Sequence, residues 1–374
     1  MVMRIVPKQY SPTEEIRPDQ HHPTIMPTLT AATLTPFTQS LFEAAGVPTA
    51  DAAIVARSLV DANLCGHDSH GVMRAPQYVD SLRSGSSKAG VPLTVVQETP
   101  AVVVADANWG LGQVQVYRLL EKLLPKANTL GIAAGTLRKS GHTGRLGEYA
   151  EFVAKENMAL FASVNSHGSG RRVAPPGGKE GRLSTNPICM SAPTSGAPVV
   201  IDFGTSAAAE GKIRSQFQKK QPTPDGWLID SNGQPTNDPG ALYTEPRGSI
   251  LPFGGTQAYK GFGLSLLLDL FCGGLSGGAC SNPAFPLAGQ GNAAVFVLFN
   301  PALFGGVEHF LKESDGLTAY VRTCPTVPGA TITLPGDPER LAKQKRLVEG
   351  IPIPDGTWEL IVKAATDLKV PLPV

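Results

Sequence analysis

No run of about 18 uncharged apolar residues occurs in the 374-residue chain, so nothing in it reads as a membrane-spanning helix. The nearest approach, residues 261–279, is broken by glycines and carries Asp269 in its middle. Cysteine is scarce: Cys65, Cys189, Cys272, Cys280 and Cys324 are odd in number, scattered, and without a Cys-x-x-Cys pair. A disulfide framework or a structural zinc site would look different. Charge of one sign is also lacking, because a net charge of +1 creates no field to draw nucleic acid or an anionic membrane. The first residues carry Arg4, Lys8, Glu14, Glu15 and Arg17 where a secretory leader needs an apolar stretch. Residues 1–25 are polar and without period, and read as a disordered tail, with Met26 a candidate natural start. These absences lead to the expectation of a cytoplasmic protein with no nucleic-acid or membrane partner. One further absence concerns cofactors. The dinucleotide fingerprint Gly-x-Gly-x-x-Gly is missing, since Gly110-Leu111-Gly112 is followed by Gln115 and Gly261-Phe262-Gly263 by Leu266.

What is present is glycine and proline, 41 and 33 residues, in a chain that is 41% hydrophobic. That combination implies a packed fold with many tight turns. Thr35-Pro36 predicts a capped helix start ending at Gly46, and Thr49 a second one running into Gly66. A third short helix is expected over 72–82. From about Val91 the texture changes: strands are expected over 101–105, 131–137, 159–164, 199–203 and 293–299, helices over 113–124, 146–156 and 261–275. This alternation predicts an α/β sheet domain with helices on its faces. Residues 168–186, rich in Gly, Pro and Arg, and residues 221–239 read as long functional loops. Helices over 338–349 and 355–368 close the chain.

Four polar clusters carry candidate chemistry. Gly66-His67-Asp68-Ser69-His70-Gly71 sets two imidazoles, a carboxylate and a hydroxyl just past a helix end. Such a loop serves proton transfer, holds a metal through His67 and His70, or is a solvated turn. Residues 139–147, from Lys139 through His142, Gly144, Arg145 and Leu146, lie between a strand and a helix, where backbone N–H groups attract an anion. Val199 to Ser206 reads as a strand with an acid, Asp202, at its C-terminal end, where α/β folds bind ligands, or where Asp202 simply caps a helix through Ala207 and Ala208. Tyr259-Lys260-Gly261 opens a helix, where Lys260 suits a phosphate or is simply solvated.

These blocks, with Thr185-Asn186-Pro187, Gly226-Trp227-Leu228-Ile229-Asp230 and Lys260-Gly261-Phe262-Gly263, resemble the malate/L-lactate/sulfolactate dehydrogenase family from about Leu29 onward. The Asp68 block, residues 300–305, Leu334-Pro335-Gly336 and Gly350-Ile351-Pro352 most resemble its hydroxycarboxylate dehydrogenase B branch. The resemblance implies an α/β fold with a mixed-sheet cofactor domain of the sulfolactate/malate dehydrogenase-like type, unrelated to the usual nucleotide-binding fold, flanked by helical N- and C-terminal domains. The divisions it suggests are the tail 1–25, a helical region 26–90 carrying the catalytic His, a cofactor and substrate region 91–305, and a C-terminal helical region 306–374 packing back on the first helices.

The function implied is NAD- or NADP-dependent interconversion of 2-oxo and 2-hydroxy acids by a homodimer. His70 matches the proton donor/acceptor, and Asp202 is expected to orient groups near the nicotinamide. Ser69, Arg74, His142 and Arg145 match the substrate side, with Arg74 or Arg145 pairing with a carboxylate. Gly144, Arg145, Leu146, the strand residues Val200, Ile201, Asp202, Phe203 and Gly204, Tyr259, Lys260, Asn292, and the turn Gly336, Asp337, Pro338 and Glu339 match cofactor-contacting stretches. No metal is implied. A cyclic imino-acid (piperideine/pyrroline-2-carboxylate) reductase of the same fold is the second reading. A metal-dependent hydrolase or lyase on His67, His70 and His142 is a distant third.

Overall fold

The computed structural model describes residues 27–167, 170–284 and 291–373. The expected tail over 1–25 and the start at Met26 lie outside the described residues, as do Gly168 and Ser169 of the first long loop. A short strand, β1 (Thr28–Leu29), leads into helix α1 (Ala31–Ala44). That helix begins earlier than the Thr35-Pro36 signal predicts. Thr30 caps it, its hydroxyl accepting the Thr33 N–H at 3.1 Å, and Pro36 sits inside. The extra turn buries Leu34 with Phe37, Leu41 and Phe42, which outweighs the one hydrogen bond Pro36 cannot donate. In α2 (Thr49–Leu64) the cap position is Pro48 rather than Thr49. Two single 3₁₀ turns, Asp68–His70 and Val72–Arg74, precede α3 (Ala75–Arg83), so the helix expected over 72–82 is α only in its second part.

The sheet domain then follows in chain order: β2 (Thr94–Glu98), β3 (Val102–Asp106), α4 (Gly112–Leu130), β4 (Ile132–Ser140), α5 (Gly147–Ala154), β5 (Ala159–His167), β6 (Ile188–Ala192), β7 (Val199–Phe203) and α6 (Glu210–Gln218). Three two-residue strands, β8 (Leu228–Ile229), β9 (Pro235–Thr236) and β10 (Ser249–Ile250), form a small separate sheet. Helix α7 (Ala258–Asp269) passes into a π-helical turn, and β11 (Gly291–Phe299) returns to the main sheet. The chain ends with α8 (Val307–Arg322), α9 (Asp337–Glu349), β12 (Ile351–Pro352), which pairs with β1, and α10 (Asp355–Leu368).

The main sheet has the order β2-β3-β4-β11-β5-β6-β7. Only β3 and β4 are parallel, joined by α4 as the crossover, and every other pair is antiparallel. The sheet is therefore mixed, as the resemblance implies. At Gly135 of β4 a Cβ would stand 2.7 Å from Leu123 Cδ1, so glycine is what lets α4 lie this close. Val103, Leu119, Leu123, Leu137, Tyr149 and Phe296 fill the core between the sheet and its helices. A second core joins Leu34, Phe42, Val55, Leu59 and Tyr78 to Ile351, Ile353 and Ile361, which packs α10 against α1–α3. The loop 66–71 emerges between these two cores.

Candidate active site

The loop after α2 is held open by its own side chains. Gly66 adopts φ +80°, and a Cβ on Gly71 would overlap the Asn63 amide. Asn63 accepts the Val72 N–H at 2.8 Å and donates to Asp68 at 2.6 Å. The loop's polar groups then divide. Asp68 forms a two-pronged pair with Arg346 of α9 at 2.6 and 3.0 Å, and His67 lies 3.2 Å from Glu339 on the same helix. Ser69 and His70 turn the other way, with Ser69 Oγ 2.9 Å from His70 Nδ1. Asp68 therefore anchors the loop to α9, and Ser69 is the group that meets the His70 ring.

His70 opens onto a cleft of about 670 Å³ that also exposes Ser69, Arg74, His142, Arg172, Arg214 and Asn292. The His70 and His142 rings stack with centroids 5.3 Å apart. Burial, reinforced by the charges of Arg74, His67 and Arg145, lowers the His70 pKa to about 3. His142 is held well below its ordinary value by burial, then by Arg74 and His70. Both rings are thus neutral at pH 7, which the free-imidazole value gives no reason to expect. Arg74 donates through Nε to Ser69 O at 2.7 Å and through Nη1 to Gln77 at 2.9 Å. Among the described residues no carboxylate pairs with Arg74 or Arg172, whereas Arg214 is engaged by Glu210 at 2.7 Å. A Cβ on Gly211 would stand 2.6 Å from Ser69 Cβ, so the first turn of α6 is pressed against the loop 66–71. Sequence reasoning singled out the Arg-rich loop 168–186 but neither Arg172 nor Arg214. Arg172 in a loop and Arg214 on a short helix carry no periodic signal, and only the fold brings them to one cleft.

Two expected site residues are elsewhere. Arg145 is 3% exposed and does not line the cleft. Its guanidinium is taken by Asp61 at 2.9 Å and by both Glu151 oxygens at 3.1 and 3.0 Å, so it has no fork left for a substrate carboxylate. Asp202 also lies outside the cleft lining. It accepts the Gly147 N–H at 2.8 Å, tying β7 to the first turn of α5, and burial raises its pKa despite that bond. Both groups hold the 144–147 turn in place.

The remaining stretches converge on a second locus. Gly144 (φ +78°), Arg145 and the buried Leu146 lead into α5 beside Asp202. The Val200 N–H bonds Pro335 O at 3.3 Å, bringing the turn of Gly336 (φ +92°), Asp337, Pro338 and Glu339 against β7. Arg340 locks that turn by bonding Asp337 at 2.6 Å and Pro198 O at 2.9 Å. The β7 run of Val200, Ile201, Asp202, Phe203 and Gly204 ends with Phe203 packed edge-on against Phe253, which precedes Tyr259 and Lys260 at the start of α7. Asn292 links this locus to the cleft, accepting the Thr143 N–H at 3.2 Å and donating to Asn165 O at 2.7 Å. Among the described residues no three His, Cys, Asp or Glu side chains converge in a metal-ligating set, and His67 is turned away from His70 towards Glu339.

The malate/L-lactate dehydrogenase family model matches residues 29–362. Hydroxycarboxylate dehydrogenase B of Escherichia coli (strain K12) is 34% identical over 345 residues, covering 91% of this chain and 94% of that protein. The solved structure of malate dehydrogenase from Pyrococcus horikoshii OT3 superposes with a TM-score of 0.83 at 30% identity, over 92% of this chain and 96% of that one. That of Δ1-piperideine-2-carboxylate reductase from Pseudomonas syringae pv. tomato superposes at 0.78 and 28% identity, over 91% and 100%.

Proposed function

The chain belongs to the malate/L-lactate dehydrogenase family, and on that premise we propose that it interconverts 2-oxo acids and 2-hydroxy acids by hydride exchange with a nicotinamide dinucleotide. The observation that carries the reading is His70, a half-buried imidazole facing a cleft that holds Arg74 and Arg172, neither of which pairs with a carboxylate among the described residues. The second locus has the character a dinucleotide needs. Gly144 and Gly336 adopt left-handed backbone that other residues tolerate poorly, and Phe203 and Tyr259 remain 43% and 59% exposed beside it. Gly144 to Leu146, Val200 to Gly204, Tyr259, Lys260, Asn292 and Gly336 to Glu339 are the residues that would hold the cofactor, with Arg145 and Asp202 acting by fixing the 144–147 turn. When bound, a reduced nicotinamide supplies the hydride that adds to C2 of the oxo acid.

The chain's own residues do the rest. Arg74 presents its remaining guanidinium N–H groups to the substrate carboxylate, and Arg172 lines the same cleft. Protonated His70 gives the Nε2 proton to the oxygen at C2 as negative charge develops there. In the imidazolium Nδ1–H donates to Ser69 Oγ, 2.9 Å away, which leaves Nε2 to face the substrate. Because burial holds His70 neutral in the free protein, the proton is taken up as the anionic substrate enters and offsets the charge of Arg74.

The division into a helical region 26–90 carrying His70, a cofactor region 91–305 and a C-terminal region 306–374 is supported by the two separate cores and by the packing of α10 on the first helices. The homodimer is supported by apolar side chains left open on α7 and its π turn, Leu267, Leu270, Phe271 and Leu275, and by α8, which buries none of its described residues. Five unpaired cysteines fit a reducing compartment such as the cytoplasm. The test is a panel of 2-oxo acids and cyclic imino acids with NADH and NADPH. Turnover of 2-oxo acids supports the dehydrogenase. Turnover of cyclic imines alone transfers the site to a reductase chemistry like that named for the Pseudomonas relative, in which the proton goes to the imine nitrogen rather than to an alkoxide. Nucleotide oxidation with neither class overturns both.

A further inference from the structure

We propose that Tyr78 is a positioning residue that fixes His142 as its neutral Nε2–H tautomer, making His142 a hydrogen-bond donor to the bound acid and leaving His70 alone to move the proton. The inference rests on the oxo-acid reading of the cleft but has its own structural footing. Three polar groups meet at one ring nitrogen. The Gly144 N–H points at His142 Nδ1 from 3.3 Å, and a backbone amide only donates, so Nδ1 carries a lone pair. Tyr78 Oη lies 2.6 Å from the same Nδ1 and therefore donates as well. The Tyr78 oxygen is in turn supplied by Gln113 Nε2–H at 3.1 Å. With Nδ1 accepting, the ring proton sits on Nε2, for which no described residue provides an acceptor, and His142 lines the cleft.

The setting makes this arrangement durable. Tyr78 and Gln113 are buried, and the loop carrying His142 is clamped on both sides of Thr143, by Asn292 on its N–H and by the Tyr149 hydroxyl on its carbonyl. The charged and titratable groups facing His142 are Arg74 and His70, both of which oppose a positive charge on it. The chemical consequence is a division of labour between two stacked imidazoles 5.3 Å apart. If His142 titrated, its charge would repel the imidazolium that His70 must become. Held neutral by burial, Arg74 and His70, and fixed in this tautomer by Tyr78, it presents an N–H to a substrate oxygen and never competes for the proton.

The experiment compares wild type with Tyr78→Phe, which keeps the ring and removes the donor. In protein carrying ¹⁵N-labelled histidine, the His142 signal is assigned by its loss in His142→Gln. Wild type should show Nδ1 unprotonated from about pH 5 to 8, and Tyr78→Phe should show part of the neutral His142 population with its proton moved to Nδ1 in that interval. In turnover, the variant should raise KM for the oxo acid about 5- to 10-fold and leave kcat and KM for the nucleotide unchanged. A proton on Nδ1 of wild-type His142, or a variant with the same spectrum and the same oxo-acid KM, overturns the proposal. The spectra decide the tautomer even if no oxo acid is turned over, so failure here is separate from failure of the assigned reaction.

Discussion

The pH dependence of the two reaction directions should differ in a way that a solvent-exposed histidine cannot produce. With His70 lowered to about 3 by burial, only about one molecule in 10⁴ carries the imidazolium at pH 7 before substrate binds. Reduction needs that form. Each unit of pH above the pKa removes tenfold of it, so kcat/KM for the oxo acid should fall about tenfold per unit from pH 5 to 8, with no plateau. Oxidation needs the neutral ring, which is already complete, so kcat/KM for the hydroxy acid should be flat over the same interval. Replacing His70 by Gln should lower kcat by about 10²–10⁴-fold in both directions and abolish the slope. The assay is initial rate at saturating nucleotide across the pH series. A plateau below pH 6 with an inflection near 6.5 would refute the reasoning, since it would mean that His70 titrates as if in water.

Other perturbations separate the cleft from its supports. Arg74→Lys should weaken oxo-acid binding by about 1.5–3 kcal/mol, because an ammonium cannot reproduce a planar fork, with nucleotide KM unchanged; an unaltered oxo-acid KM would move the carboxylate to Arg172. Arg145→Met should lower stability by about 1–3 kcal/mol, read as the denaturation midpoint, since it unpairs the part-buried Glu151 and leaves Asp61 to Lys343 alone; a midpoint near wild type would contradict its anchoring role. Glu148, buried on α5 and bonded to Ser58 at 2.7 Å, is raised to about 7 chiefly by burial. The folded state then holds a proton that the unfolded state releases above about pH 4.5, so stability falls as pH rises from there to about 7 and stays reduced above it. Glu148→Gln should therefore gain about 1–3 kcal/mol at pH 8 and nothing at pH 4, and parallel stability curves for the two proteins would refute this.

The sequence was most legible where periodicity and punctuation agree. The strand over 199–203 and the helix over 355–368 coincide with β7 and α10, bounded by a β-branched run ending in glycine and by an Asp start. Helix α8 was missed because none of its described residues is buried, so no apolar stripe faces a core within this chain. Strand β6, just after the loop expected over 168–186, was missed because Ile188 and Cys189 are both buried and alternation fails. In the site, the motif blocks located the loops but not where side chains go. Arg145 reads like a ligand for an anion, and only the fold reveals that Asp61 and Glu151 already occupy it. Likewise, the low pKa of His70 comes from burial contributed by distant segments, which no local motif records.

The most direct test of the central claim follows one atom. With reduced nucleotide carrying deuterium at the transferring C4 position and a 2-oxo acid identified by the panel, the hydroxy-acid product of wild type should hold deuterium at C2. The His70→Gln protein should bind nucleotide with wild-type affinity yet form that labelled product about 10²–10⁴-fold more slowly. Product without deuterium at C2, or labelled product formed at the wild-type rate by His70→Gln, would contradict the account.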